Sequence, residues 1–129
     1  MEQDIDMVTF TGSTQVGRHI YIKAAEKLIP CVMELGGSAP GIVCEDADID
    51  AVIETIYYMR YSNAGQMCDG LKRLIVHESR YEELVQKLSS VLLSKKIGVA
   101  IEEETDIGPL VSEHQQKAFM LQYEDALQK

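Results

Sequence analysis

The amino-acid sequence predicts an α/β fold with a mostly parallel sheet. Short apolar runs rich in β-branched residues alternate along the chain with segments whose apolar residues recur every three or four positions. The 129-residue chain is 46% hydrophobic and 26% charged, which is typical of one folded domain rather than a disordered polypeptide. There is no internal repeat and no low-complexity segment.

The first half of the chain predicts three strands and two helices. The runs IDMVTF (5–10), CVMEL (31–35) and GIVC (41–44) predict strands, the second a buried one that Gly36 and Gly37 end. Helical spacing predicts a first helix that stops before Pro30. The residues at that spacing are Val16, Ile20, Ala24 and Leu28. The acidic stretch EDADID precedes a second helix over about 48–61, where a helix N-terminus favours negative charge.

The second half predicts one more strand and two more helices. LKRLIVHE (71–78) has the β-branched centre of a strand. Ser79 with Glu82, and Ser112 with Gln115, have the spacing of capping boxes and predict that a helix begins at each serine. Residues 97–111 between these helices predict a loop or extended stretch.

Charge and composition exclude several classes of function. A net charge of -9 and a pI near 4.7 oppose binding to nucleic acid, because phosphates are repelled by an acidic surface. No apolar run approaches the roughly 20 residues of a membrane helix. Cys31, Cys44 and Cys68 form an odd set without CxxC pairing, which favours free thiols in the cytosol over a disulfide framework.

The first candidate site is the turn FTGSTQVG (10–17), where a strand runs into a helix start. Free backbone N–H groups at a helix N-terminus bind anions such as phosphate. The alternative is that Gly, Ser and Thr merely cap the helix here, and the GxGxxG spacing of the commonest dinucleotide fingerprint is absent.

Glu34 and Cys68 are the other two candidates. Glu34 ends an apolar run, so either desolvation raises its pKa towards that of a general base or it is a strand-end charge that reaches solvent. Cys68 lies in a loop between Gly65 and Gly70, where a thiol can act as a nucleophile. Cys31 and Cys44, inside apolar strands, are interpreted as small core fillers.

Neither the aspartates nor the histidines have the spacing of a metal site. Asp46, Asp48 and Asp50 match the start of a calcium loop, but Ala51 and Tyr57 stand where that loop needs Gly and Glu. Three histidines lie apart among polar residues and are predicted to be on the surface without ligating a metal; they are His19, His77 and His114.

Taken together, the order and spacing of three segments resemble the aldehyde dehydrogenase superfamily. FTGSTQVGR is similar to its Gly-Ser cofactor turn, MELGGSAPGIVCEDADID to its glutamate motif and NAGQMCDGLKRLIVHE to its nucleophile motif. The resemblance covers nearly the whole chain and is looser after Lys96.

The resemblance implies roles for these residues. Cys68 would attack an aldehyde as thiolate, its own N–H would help to hold the oxyanion, and Glu34 would activate the water that hydrolyses the thioester. NAD or NADP would be the cofactor, with Leu35 and Gly36 near its nicotinamide ring. The residues that would line its phosphates and nicotinamide end are Gly12, Ser13, Thr14, Gln15, Val16 and Gly17.

The resemblance also implies a division of the chain. Residues 1–37 would be the last part of a dinucleotide-binding domain and 38–129 the first part of a catalytic domain. The chain stops inside a helical pattern at YEDALQK, so we expect it to belong to a longer polypeptide and to have little or no activity alone. Apolar faces left exposed in this way favour a homo-oligomer.

Two features depart from the family pattern, and two rival interpretations remain. Ser38 stands where the family often has lysine, and Asp69 follows the nucleophile, where its charge would disfavour thiolate unless Lys72 and Arg73 offset it. The rivals are a self-associating or redox-sensitive fragment without catalysis, and a small nucleotide-binding protein in which Cys68 is an ordinary loop thiol.

Overall fold

The computed structural model describes residues 4–129 and has two parallel pairs of strands with helices against them. Its strands are β1 (Val8–Thr11), β2 (Cys31–Glu34), β3 (Ala39–Val43) and β4 (Leu71–Val76). Its helices are α1 (Thr14–Ala25), α2 (Ile49–Tyr61), α3 (Glu78–Leu93) and α4 (Glu113–Leu127). Strand β1 pairs with β2, and β3 pairs with β4, both in parallel, which confirms the predicted α/β class.

The core lies between the β3–β4 pair and helices α2 and α3. Five buried side chains form it: Val43, Ile49, Ile53, Ile56 and Leu84. Asp48 caps α2 by accepting a hydrogen bond from the Ala51 N–H at 3.2 Å, so this acidic stretch starts a helix. An ion pair between Lys87 Nζ on α3 and Asp50 Oδ1 on α2, at 2.6 Å, joins the two helices on the outside.

Helix α1 ends earlier than its apolar spacing predicts. Leu28 lies beyond the helix, has a left-handed φ of 57° and is 91% exposed, so its inclusion in the helical pattern is wrong. The N–H of Ile29 donates to Ala24 O at 3.0 Å and that of Leu28 to Ala25 O at 3.1 Å. These are the two bonds of a Schellman motif, whose left-handed position normally carries glycine.

The starts of the last two helices differ in how well they were predicted. Ser112 caps α4 by accepting from the Gln115 N–H at 3.2 Å, as expected. Ser79 does not cap α3, because the helix begins at Glu78 and the ring nitrogen Nδ1 of His77 accepts from the Ser79 N–H at 3.3 Å. The segment between them is extended at one point, where Ile97 and Ile107 form a parallel bridge.

Much apolar surface is uncovered in the described part of the chain. Ile42 and Ile75 are register partners on β3 and β4 and are 70% and 51% exposed, on the side away from the core. Helix α4 has no buried residue. In residues 4–129, no helix combines the length and the apolarity needed to cross a bilayer.

Candidate active site

The turn of residues 12–17 and Glu34 lie side by side at one edge of the first strand pair. Because β1 and β2 are parallel and Thr11 is paired with Glu34, both strands end at this edge. The Gly12 N–H donates to the Glu34 backbone oxygen at 3.0 Å, which fixes the start of the turn against the end of β2. The carboxyl edge of parallel strands is where open α/β sheets bind their ligands.

The turn keeps free donors at its helix start. Ser13 caps α1 by accepting from the Val16 N–H at 3.3 Å, and the Gly17 N–H donates to Ser13 O at 2.9 Å. The N–H groups of Thr14 and Gln15 have no acceptor among residues 4–129, and both residues are exposed. The turn therefore caps its helix and also presents two backbone donors to solvent.

Gly17 is needed for the packing of α1 on the end of β2. It is buried, and a methyl group in place of its hydrogen would stand 2.6 Å from Cδ2 of Leu35. The Leu35 side chain thus packs against the helix that follows the turn. Gly36, by contrast, has open space around it, with no atom within 4 Å of such a methyl group.

Glu34 is exposed at the last position of β2. Of the two alternatives for this carboxylate, burial in a desolvated pocket and contact with solvent, the structure has the second. An exposed carboxylate has access to water without any rearrangement of the protein.

The loop that contains Cys68, residues 62–70, begins with a left-handed turn. The φ angles of Asn63, Ala64 and Gly65 are 51°, 55° and 75°, and Ala64 in particular adopts a conformation that costs an L-residue free energy. Arg60 supports the turn, because its Nη1 donates to Gly65 O at 3.3 Å. Cys68 follows in this loop and is exposed, as its glycine-flanked position predicts.

Two contacts bring the segment after Glu34 and the loop that contains Cys68 together. A methyl group on Gly37 would stand 2.7 Å from the backbone oxygen of Cys68, so the two main chains are in direct contact. Arg73 Nε donates to Ser38 O at 3.1 Å. Together with the bond from Gly12 to Glu34, these contacts gather all three candidate segments in one region.

The two cations after Cys68 are bound to backbone carbonyls. Lys72 Nζ donates to Met67 O at 2.5 Å and to Gly70 O at 3.1 Å, while Arg73 donates to Ser38 O. Both cations therefore help to hold the loop, and their offset of the Asp69 charge stays a prediction. Asp69 itself is exposed and lies at an apolar cavity of about 240 Å³ between β3 and α2.

Sequence reasoning missed Gln66. Its Oε1 accepts from the Val111 N–H at 2.8 Å and its Nε2 donates to Asn63 O at 2.9 Å, so the side chain joins the loop that contains Cys68 to the end of the 97–111 segment. A glutamine in a glycine-rich loop carries no local signal for such a long-range bond.

The other cysteines and the histidines contribute nothing to this region. Cys31 is half-buried in β2, in keeping with a core filler. The same prediction is wrong for Cys44, because β3 ends at Val43 and leaves Cys44 exposed. All three histidines are exposed, and residues 4–129 contain no group of His, Cys, Asp and Glu side chains suited to a metal.

Comparison with known proteins gives a consistent result. The aldehyde dehydrogenase family model matches residues 1–129. The succinate semialdehyde dehydrogenase of Acinetobacter baylyi is 40% identical over 121 residues, which are 94% of this chain and 25% of that protein. The D-glyceraldehyde dehydrogenase (NADP+) of Picrophilus torridus is 37% identical over 108 residues, 84% of this chain and 22% of that protein.

A solved structure agrees with these sequences. The NAD+ complex of the aldehyde dehydrogenase from Bacillus cereus superposes with a TM-score of 0.90 at 39% identity, covering 93% of this chain and 24% of that one. The chain spans about a quarter of the length of the curated relatives it matches. From the family match over its whole length and the shared fold, the chain belongs to the aldehyde dehydrogenase family.

Proposed function

We propose that this chain carries the nucleophile and the general base of an NAD(P)-dependent oxidation of an aldehyde to a carboxylic acid. The observation that supports this most is the contact between the main chains of Gly37 and Cys68, because it joins an exposed thiol to the segment that follows Glu34. Residues 1–37 would end the cofactor domain, and 38–129 would begin the catalytic domain.

Cys68 is the nucleophile in this proposal. Its thiolate attacks the carbonyl carbon of the aldehyde, an S–C bond forms, and the carbonyl π electrons move to the oxygen. The Cys68 N–H has no acceptor within residues 4–129 and is free to donate to this oxyanion. The product is a thiohemiacetal, which loses hydride readily to become a thioester.

The turn of residues 12–17 is the proposed site for the cofactor. It fits a dinucleotide phosphate because it is exposed, lies at the carboxyl edge of parallel strands and has unengaged N–H groups at Thr14 and Gln15. Gly36 leaves open space beside Glu34, and Leu35 supports the turn through Gly17. When bound, NAD or NADP supplies the acceptor for the hydride that leaves the aldehyde carbon.

Glu34 is the proposed general base. Its carboxylate takes a proton from water as the water oxygen adds to the thioester carbon, and the C–S bond then breaks to release the carboxylic acid and the Cys68 thiolate. Its exposure gives it the access to water that this step requires. We propose little or no turnover by these 129 residues alone, since they span about a quarter of their relatives.

Competitive alkylation of the three cysteines tests this proposal. Cys44 is a matched control, because it is exposed like Cys68 but lies outside the candidate site. We expect iodoacetamide to label Cys68 faster than Cys44 at the same pH, because a nucleophilic thiol reacts as its thiolate. Peptide mass spectrometry over a range of pH measures both rates.

Equal, slow labelling of Cys68 and Cys44 would contradict the proposed nucleophile and favour an ordinary loop thiol. A steady-state assay with several aldehydes and either NAD or NADP tests whether these 129 residues turn over substrate alone. Turnover that Cys68→Ala abolishes would confirm the chemistry and overturn the proposed inactivity of these residues alone.

Two further properties belong to the proposal. The exposed pair Ile42 and Ile75 favours a homo-oligomer, which sedimentation velocity would detect as a species above the 14.4 kDa monomer. Three cysteines that are free among the described residues favour a reducing compartment, the cytosol.

A further inference from the structure

The peptide group between Met67 and Cys68 is held from one side only. Its carbonyl oxygen, on Met67, accepts from Lys72 Nζ at 2.5 Å and from the Gly70 N–H at 3.3 Å. Its N–H, on Cys68, has no acceptor in the part of the chain that the structure describes. The group therefore has two bonds that fix its carbonyl and a free donor.

The planarity of the peptide bond transmits this fixation to the N–H. Residues 4–129 contain no cis peptide bond, so the C=O of Met67 and the N–H of Cys68 point in opposite directions. Whatever holds the carbonyl towards Lys72 directs the N–H away from it. A donor whose direction is set before reaction loses little free energy on reorientation when charge develops.

We propose that Lys72 is a positioning residue for the Cys68 N–H in the reaction proposed above, on which this inference rests. Its ammonium group closes the 67–70 turn from outside by binding two carbonyls, those of Met67 and Gly70. The bond within the turn, from the Gly70 N–H, is long at 3.3 Å, so the charge-assisted bond from Lys72 is the stronger restraint.

Lys72 also acts on the strength of the donor. A cation on a carbonyl oxygen withdraws electron density from the amide and makes its N–H a better hydrogen-bond donor. The ammonium lies close to the buried Gly70, where a methyl group would stand 3.2 Å from Lys72 Nζ. Lys72 thus prepares the donor that stabilises an oxyanion on the substrate.

Acylation of Cys68 by p-nitrophenyl acetate tests this role without cofactor. The thiolate attacks the ester carbonyl, an S–C bond forms through an oxyanion, and the C–O bond breaks to release p-nitrophenolate and leave an acetyl thioester. Alkylation by iodoacetamide is the comparison, because displacement of iodide forms no oxyanion. The ratio of the two rate constants at Cys68 therefore isolates oxyanion stabilisation from the amount of thiolate.

Three variants complete the design. Lys72→Met keeps the side-chain length and removes the donor, Lys72→Arg keeps a cationic donor, and Lys117→Met removes a lysine from the exposed face of α4. We expect Lys72→Met to lower the ratio by about tenfold, less than the 10²–10³ lost when a direct oxyanion donor is removed. Lys72→Arg should restore most of the ratio, and Lys117→Met should leave it unchanged.

Two outcomes separate this inference from the proposed function. If Cys68 acylates faster than Cys44 but Lys72→Met leaves the ratio of acylation to alkylation rate constants unchanged, the role of Lys72 is overturned. The proposal that Cys68 is the nucleophile is then unaffected. If Cys68 acylates no faster than Cys44, the proposed function fails. Hydrogen exchange of the Gly70 amide, which donates to Met67 O, tests whether Lys72 holds the 67–70 turn. Faster exchange of this amide in Lys72→Met supports the inference, and unchanged exchange overturns it.

Discussion

The α-carbon of Gly37 lies against the backbone carbonyl of Cys68, so closely that a methyl group on it would stand 2.7 Å from the carbonyl oxygen. This contact joins the segment after Glu34 to the loop of the proposed nucleophile. It exists because residue 37 has no side chain. The two main chains therefore depend on one glycine for their approach.

Replacing this glycine should separate the two segments. In Gly37→Ala the new methyl group meets a backbone atom that cannot rotate away, and we expect a loss of about 1–3 kcal/mol in the free energy of unfolding. Urea denaturation measures the loss. Gly36→Ala is the matched control, because its methyl group enters open space and stability should change by less than about 0.5 kcal/mol. Equal effects of the two substitutions would contradict the importance of the Gly37 contact.

Leu28 offers a test of the left-handed end of α1. Its φ of 57° costs an L-residue free energy that glycine avoids, and its side chain is 91% exposed, so little packing is lost on removal. We expect Leu28→Gly to stabilise the chain by about 1 kcal/mol in urea denaturation. Leu93→Gly, at an 87% exposed leucine with helical geometry in α3, should instead destabilise it. A loss of stability in Leu28→Gly would contradict the strain at this position.

The sequence predicts local structure here better than contacts between distant segments. Helix α2 was predicted over about 48–61 and runs over Ile49–Tyr61, because apolar spacing and an acidic start both mark it. The exposed position of Cys68 also follows from its loop composition. Periodicity failed at Leu28, since it records the face of a helix and carries no information about where the backbone turns left-handed.

The sequence nominates the members of the candidate site, which stay a prediction, and carries no information about their arrangement. The resemblance of three motifs identifies Glu34 and Cys68, but the approach of Gly37 to Cys68 and the bond from Gln66 to Val111 are tertiary contacts between residues 31 and 45 positions apart. The capping of α3 by His77 was missed because serine is the commoner cap at that spacing. In each case the deciding interaction depends on geometry that no local pattern contains.

The ion pairs of Lys87 make stability depend on pH in the alkaline range. Hydrogen bonds from its ammonium raise the pKa of Lys87 above its ordinary value of 10.5; the bond to Asp50 has the larger effect and the bond to Glu83 the smaller. A raised pKa means that the folded state binds this proton more tightly than the unfolded state. The stabilisation is therefore complete below pH 10.5 and is lost as the pH rises through the higher pKa of the folded state.

We expect Lys87→Met to be less stable than the parent chain below pH 10.5, and the difference to shrink above it. Urea denaturation at a series of pH values measures this difference. Lys23→Met removes only the ion pair with Glu26 at the end of α1 and controls for the general change in net charge. A difference that grows with increasing pH would contradict the assignment, because it would require the folded state to bind the proton more weakly.

Gln66 should control how firmly the loop that contains Cys68 is attached to the 97–111 segment. Its Oε1 is the acceptor for the Val111 N–H, and its Nε2 donates to Asn63 O. Gln66→Ala removes these two bonds and a longer one from Nε2 to Pro109 O at 3.5 Å. We expect the Val111 amide to exchange with solvent about tenfold faster, the equivalent of a bond worth about 1.4 kcal/mol. Amide hydrogen exchange followed by NMR measures this rate.

Gln66→Glu separates the bond accepted by Oε1 from those donated by Nε2, because a carboxylate still accepts from Val111 but has no hydrogen to donate to Asn63 O or Pro109 O. Protection of the Val111 amide should therefore survive in Gln66→Glu and be lost in Gln66→Ala. The Ile107 amide, which donates to Lys96 O at 3.1 Å, should exchange at the parent rate in both variants. If Val111 exchanges at the parent rate in Gln66→Ala as well, Gln66 does not hold the loop, and the left-handed turn with Arg60 must position Cys68 without it.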